Sequence, residues 1–264
     1  MNFTDYSTLL LERRGRLLYA SFNQPQTLNA IGRVAHAELV RFFSELATDP
    51  ETDVMILSGV GRAFSAGGDL NYMQEMIDDP AIFLDDIPDV KRIVFGMLDC
   101  PKPIIAKLNG PAVGLGATIA LLCDVIFAAP NAKIGDPHAK IGFTAGDGGA
   151  VIWPHLIGHA RAKEYLMTGR LLTAEEAEKV GLINHVVPAE ELDRTVDEFA
   201  QELQKGAMRA IQWTKLSVNI GLKQLAHAVL DASVAYEALS NMTADHREAV
   251  RAMREKRTPQ FTGK

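Results

Sequence analysis

Apolar residues follow two rhythms along this chain, and the rhythms change near residue 190. TLLLERRGRLLYASFN forms two apolar runs around Gly15 and predicts a hairpin. IGRVAHAELVRFFSELATDP spaces Val34, Leu39, Phe42, Phe43 and Leu46 as a helix that stops before Pro50. DVMILSG reads as a short buried strand, and VGRAFSAGGDL reads as the loop after it. A helical stretch near Pro88–Cys100 precedes PKPIIAKLNG, a second buried strand. VGLGATIALLCD predicts a helix entered through glycines, and VIFAAP predicts a further strand. This strand–helix alternation over Asp53–Pro130 argues for an α/β core. Beyond Pro188 the glycines thin out. Residues 189–256 are almost all helix-forming, with apolar spacing at Ala210, Ile211, Leu216 and Val218 and again at Leu230, Val234 and Leu239. The chain therefore divides into a core, residues 1–190, and a helical region, residues 191–264, with no internal repeat.

Composition narrows the function classes. A length of 264 residues suits one large domain or one domain with an appendage. The net charge of -6 and pI near 5.7 argue against a nucleic-acid-binding protein, although the chain ends in a basic tail, MREKRTPQFTGK. Cys100 and Cys123 do not make a disulfide framework and suit a reducing compartment. MNFTDYSTLLLERRGR lacks the build of a signal peptide. The most apolar stretch, PAVGLGATIALLCDVIFAAP, is interrupted by Asp124 and too short to span a bilayer. The expectation is a cytoplasmic protein without a membrane partner.

Candidate chemistry concentrates in three glycine-rich segments. AFSAGGDL and NGPAVGLGAT each follow a predicted strand and lead into a helix. Glycines allow close backbone approach, and free N–H groups at a helix start stabilise negative charge. Two such turns face to face would hold one oxygen between two amides. Neither matches the phosphate-binding patterns G-x-x-x-x-G-K-[ST] or G-x-G-x-x-G. The third segment, GDPHAKIGFTAGDGGAVIWPHLIG, carries His138 and Asp147 nine residues apart.

PQTLNAIG, AFSAGGDL, KLNGPAVGLGA, CDVIFAAPNAKIG and EYLMTGRLLTAEEAEKVGLINHVV occur in this order. Together they resemble the crotonase superfamily, the enoyl-CoA hydratase/isomerase family. The resemblance implies a ββα spiral core and a C-terminal helical trimerisation region. The assembly would be a homotrimer or a dimer of trimers. It implies acyl-CoA thioester substrates, with coenzyme A entering as part of the substrate and no further cofactor or metal. The amides of Gly68 and Leu115 would hold the thioester oxygen as it becomes an enolate. Asn29, Ala30, Ala66, Gly67 and Gly68 would contact the coenzyme, mainly through main chain. Asp69 reads as a helix cap.

The chain departs from typical hydratases of that family at both catalytic glutamates. Thr118 and His138 stand in their places. Thr118 packs in the helix or holds a water. His138 can exchange a proton near neutrality, because an unperturbed imidazole titrates near ~6.5; otherwise it is a loop histidine bonded to backbone. Asp147 either caps a helix or bonds the imidazole and fixes its tautomer. The GPH-, GDG- and WPH-like pattern also resembles a C–C bond hydrolase branch, that of 6-oxocamphor hydrolase. There a His/Asp pair activates water against a β-diketone, and Glu237 in YEAL would be a third member; otherwise Glu237 is an exposed helix residue. Leu115 stands where that branch carries another histidine.

Three functions stay open at this point: thioester hydration or isomerisation, C–C hydrolysis of a β-dicarbonyl, and silent acyl-CoA binding. Ser65 is not in a G-x-S-x-G elbow, and the remaining histidines, His36 and His155 among them, show no metal-ligand spacing. Lys215 and Lys223 read as a solvated face. The Met-, Ile- and Phe-rich helices around Tyr72–Met97 would line an apolar acyl pocket.

Overall fold

A computed structural model describes residues 1–264. The chain opens with the hairpin β1 (Leu9–Arg14) and β2 (Leu17–Phe22), whose turn uses Gly15 at φ +62°. Next come α1 (Arg33–Thr48), β3 (Val54–Gly59), α2 (Leu70–Asp78), α3 (Pro80–Asp99) and β4 (Ile104–Leu108). β5 (Ala112–Val113), α4 (Leu115–Leu121), β6 (Val125–Ala128) and β7 (Lys133–Gly135) follow. Then come α5 (Gly149–Ile157), α6 (His159–Thr168), β8 (Leu172–Thr173), α7 (Ala174–Lys179) and β9 (His185–Val186). Three helices finish the chain: α8 (Leu192–Lys205), α9 (Met208–Asn241) and α10 (Ala244–Arg254).

The strands form two sheets. The larger runs β1-β2-β3-β4-β6-β9 and is parallel apart from the β1–β2 pair. The smaller runs β5-β7-β8. The uninterrupted apolar run of β3 follows from burial on both faces. Met55 and Leu57 point into the main core, with Phe42, Phe43 and Met97 from α1 and α3. Val54 and Ile56 point the other way, against Val196 and Ala200 of α8. Each aliphatic side chain so buried stabilises the fold by about 1.5–3 kcal/mol.

Two helical expectations change. The stretch anticipated from Pro88 begins eight residues earlier, and Pro88 sits inside α3. A proline leaves the carbonyl four residues back without its helical partner. That residue is Leu84, which is exposed, so water can reach it. Val34, Val218 and Leu239 lie on solvent faces rather than apolar ones. The buried face of α9 is instead Leu222, Ala226, Leu230, Val234 and Ala238, and these join the main core. Lys215 is also buried rather than solvated: it pairs with Asp124 at 2.8 Å and donates to the Lys102 carbonyl at 2.8 Å. No helix is long and apolar enough to cross a membrane.

Candidate active site

The two glycine turns pack side by side. Ser65 and Ala112 form an isolated bridge, and the Val113 amide donates to the Ser65 carbonyl at 2.9 Å. Gly67 is at φ +85°, and a Cβ there would lie 2.7 Å from the Val113 carbonyl oxygen. Only glycine lets the turns approach this closely. The bridge between Ile31 and Gly68 uses the Gly67 carbonyl and the Asp69 amide, so the Gly68 N–H stays outside that ladder. Leu115 is the first residue of α4, so its N–H has no carbonyl one turn back within the helix. Both residues line one pocket, a cavity of about 80 Å³, together with His138, Asp147 and Glu237.

Ala66, Gly67 and Gly68 also line an adjoining cleft with Val113, Gly114, His138 and Met253. Asn29 and Ala30 do not reach that cleft. The Asn29 side chain is spent inside the fold: it accepts from the Gln24 amide at 2.8 Å and donates to the Val60 and Ala63 carbonyls at 3.0 and 2.9 Å. Asp69 caps α2, accepting from the Asn71 and Tyr72 amides.

His138 lies just past β7, in a short 3₁₀ turn running to Ile141, and is buried. The residue holding its Nδ1 is Asp136, not Asp147. This corrects the expected pairing. Asp136-Pro137-His138 folds back on itself, so Asp136 Oδ1 also accepts the His138 amide at 3.3 Å. Two residues of separation bring the groups together with no help from the long loop. Nothing in the sequence reading singled out Asp136; its only signal was an acid two positions before the histidine at a strand end. The other ring nitrogen, Nε2, faces Asp147 Oδ2 at 3.7 Å and Glu237 Oε1 at 3.9 Å. Phe143 stacks on the ring with centroids 5.6 Å apart, and His246 backs Phe143 at 4.4 Å.

Asp147 precedes the Gly148 cap of α5, and its carboxylate lies against the Gly149 amide of the first turn. It also accepts from Thr118 Oγ1 at 3.2 Å, so Thr118 supports the cluster besides packing in α4. Glu237 is buried rather than exposed, and α9 delivers it against the loop. Gly146 makes room for it: a Cβ at that position would meet the Ser233 carbonyl at 2.3 Å and Glu237 Oε2 at 2.7 Å. Glu237 Oε2 and Asp136 Oδ2 are both buried without a partner.

Three carboxyl groups and one imidazole in a buried site cannot all take their usual charges. Burial alone would lower the His138 pKa, but the charges of Asp136 and Asp147 outweigh it and raise it to about 10. Burial pushes Asp147 up to about 6, against the pull of His138. Glu237 rises well above the carboxylate range through burial and the neighbouring Asp147. The cluster thus favours the charged form of His138 and disfavours ionisation of Asp147 and, most strongly, of Glu237. Oxygen and nitrogen atoms of Asp136, His138 and Asp147 lie within 4.8 Å of one another, a spacing that suits a metal. His138 Nδ1 is already taken by Asp136, which leaves only Nε2 turned toward Asp147.

The chain matches the family model for enoyl-CoA hydratase/isomerase over residues 12–264. It is 34% identical to a probable enoyl-CoA hydratase of Mycobacterium bovis, over 97% of this chain and 98% of that protein. It is also 34% identical to the 1,2-epoxyphenylacetyl-CoA isomerase of Escherichia coli, over 92% of this chain and 94% of that one. The crystal structure of an enoyl-CoA hydratase/isomerase from Mycobacterium paratuberculosis superposes with a TM-score of 0.89 at 36% identity, covering 92% of this chain and 97% of that one. The architecture is thus the crotonase α/β fold with a helical C-terminal region, and the chain belongs to the enoyl-CoA hydratase/isomerase family.

Proposed function

We propose that this protein hydrates an α,β-unsaturated acyl-CoA thioester, with His138, Asp147 and Glu237 in place of the usual glutamate pair. The carrying observation is the convergence of Asp147 and Glu237 on His138 Nε2, within 3.9 Å, in the wall that also holds Gly68 and Leu115. The Gly68 and Leu115 amides hold the thioester oxygen as negative charge moves onto it. Losing one such donor costs about 3 kcal/mol of barrier. Asp147 accepts a proton from water, and the oxygen of that water bonds to the β-carbon. The enolate collapses as Glu237 gives its proton to the α-carbon, leaving a β-hydroxyacyl thioester. To reset the site, the charged His138, held by Asp136, gives its Nε2 proton to Glu237, and the freed Nε2 then takes the proton from Asp147. Ala66, Gly67 and Gly68 present main chain to the coenzyme, which is the non-reacting part of the substrate. No further cofactor takes part.

A second reading is C–C hydrolysis of a β-dicarbonyl, in which the same base sends water to a carbonyl carbon. The meeting of Glu237 with His138 and Asp147 favours it. Product mass spectra in ¹⁸O-labelled water separate the readings. The panel holds enoyl-CoA thioesters, β-ketoacyl-CoA thioesters including cyclic ones, and a free cyclic β-diketone. Label in a hydroxyl of an intact chain supports hydration. Label in a new carboxylate after cleavage supports hydrolysis. No label and no deuterium exchange at the α-carbon leaves silent acyl-CoA binding.

Assembly as a homotrimer or dimer of trimers is part of the same proposal. Trp213 and Ile220, seven residues apart on one face of α9, are 61% and 55% exposed in the single chain and suit contact with another copy. Light scattering on the purified protein reads the copy number.

A further inference from the structure

A second group of polar side chains lines the same pocket and takes no part in the proton transfers above. His36 of α1, Tyr72 of α2 and Asp86 of α3 all open onto it, among the apolar walls of Met73, Phe83 and Val90. The sequence had suggested an apolar acyl pocket and a structural or surface His36. His36 is 7% exposed and faces the cavity, and its ring makes no hydrogen bond within the protein. Its ring nitrogen and the carboxylates of Asp86 and Asp89 lie within 4.8 Å of one another, yet His36 forms no ion pair with either. Asp86 accepts the Tyr72 hydroxyl through one oxygen only. Asp89 is already held by Arg92 at 2.6 Å. The nearby Arg33 stacks over the Tyr72 ring and pairs with Glu75 at 3.1 Å, so its charge is committed elsewhere.

We propose that His36 and Asp86 recognise a hydroxyl group carried by the acyl part of the substrate, away from the thioester. The proposal rests on the thioester reading above and narrows its substrate class. One hydroxyl meets both groups at once: its O–H donates to the Asp86 carboxylate, and its oxygen accepts from the His36 ring. Burial holds the His36 pKa below its usual value, so the ring stays neutral and offers one N–H and one lone pair. A methyl group there gives neither the His36 ring nor the free Asp86 oxygen a hydrogen-bond partner. A carboxylate meets the like charges of Asp86 and Asp89, against which the one nearby cation, Arg33, is already shared with Glu75. An ammonium satisfies Asp86 but gives the His36 N–H nothing to bond.

The test is calorimetric binding of saturated acyl-CoA thioesters in matched sets. Each set has one chain length ending in a methyl, a hydroxyl or a carboxylate, and the lengths run from short to medium. In the wild-type protein one hydroxyacyl thioester should bind about tenfold tighter than its methyl counterpart, and the carboxylate should bind weakest. His36→Leu and Asp86→Ala should each erase that preference while keeping affinity for the methyl thioester, which reports an intact pocket. Equal binding of methyl and hydroxyl at every length overturns the proposal and leaves the thioester reading standing. So does a hydroxyl preference that survives both substitutions. If no thioester of any kind binds, the thioester reading falls and this proposal falls with it. Should neither variant fold, the wild-type ranking alone decides.

Discussion

Replacing Asp136 by asparagine should unlock the charge state of His138. Asparagine keeps the shape and an acceptor oxygen at Nδ1 but removes the negative charge. Lifting an imidazole from its ordinary 6.5 to about 10 corresponds to roughly 5 kcal/mol of preference for the cation. A carboxylate in direct contact contributes about 4 kcal/mol at an effective dielectric constant near 20. Asp136→Asn therefore takes most of that preference away. Burial is then opposed mainly by Asp147, and His138 should titrate near ~7 or below. NMR of histidine-labelled protein follows this ring directly, with His138→Gln to assign it. Turnover supplies an independent readout. The wild type should show no limb from His138 across the neutral range, whereas Asp136→Asn should gain one near ~7. A variant imidazole still protonated above pH 9, or a wild-type one that titrates below 7, would refute the assigned charges.

Stability should follow the same charges. The folded pKa of His138 lies above its unfolded value, so its contribution is complete below about 6.5 and is lost as pH rises through about 10. Asp147 is also raised, to about 6, so its ionisation penalises the fold fully above that pH, and the penalty shrinks as pH falls from about 6 to 3.8 and is gone below. The melting temperature should therefore fall between pH 6.5 and 10, and His138→Gln should flatten that slope. Glu237→Gln swaps a neutral acid for a neutral amide, so the melting temperature should hold while turnover drops about 10²- to 10⁴-fold. A large loss of stability would show that Glu237 is ionised. Gly67→Ala puts a Cβ 2.7 Å from the Val113 carbonyl at φ +85°; the turns should separate and kcat should fall at least about tenfold, in line with a displaced oxyanion donor. Gly146→Ala drives a Cβ into the Ser233 carbonyl and Glu237 and should destabilise by about 1–3 kcal/mol in denaturant titrations.

Much of the fold was legible along the chain because local rules govern it. The hairpin around Gly15, the double-sided burial of β3 and the glycine entries to α2 and α4 each leave a signature within a dozen residues. α3 was harder, since a proline within a helix usually marks its start, whereas here the helix begins at Pro80 and runs on through Pro88. The solvent faces of Val34, Val218 and Leu239 were also out of reach. An isolated helix repeats its apolar positions without saying which of them meets a neighbour.

The candidate site divides in the same way. The sequence by itself pointed to the family and to the two glycine turns, because motif order and residue identity carry that information. It also marked His138, Asp147 and Glu237, but the partnerships among them depend on how α9 closes over the loop 90 residues earlier. Tertiary structure alone decided that Asp136 holds the imidazole and that Glu237 is buried without a partner for one oxygen. It alone brought His36, Tyr72 and Asp86 from three helices to one wall. The physical reason is that charge state and contact depend on burial and on distances of a few ångströms, and both arise only when segments distant in sequence pack together.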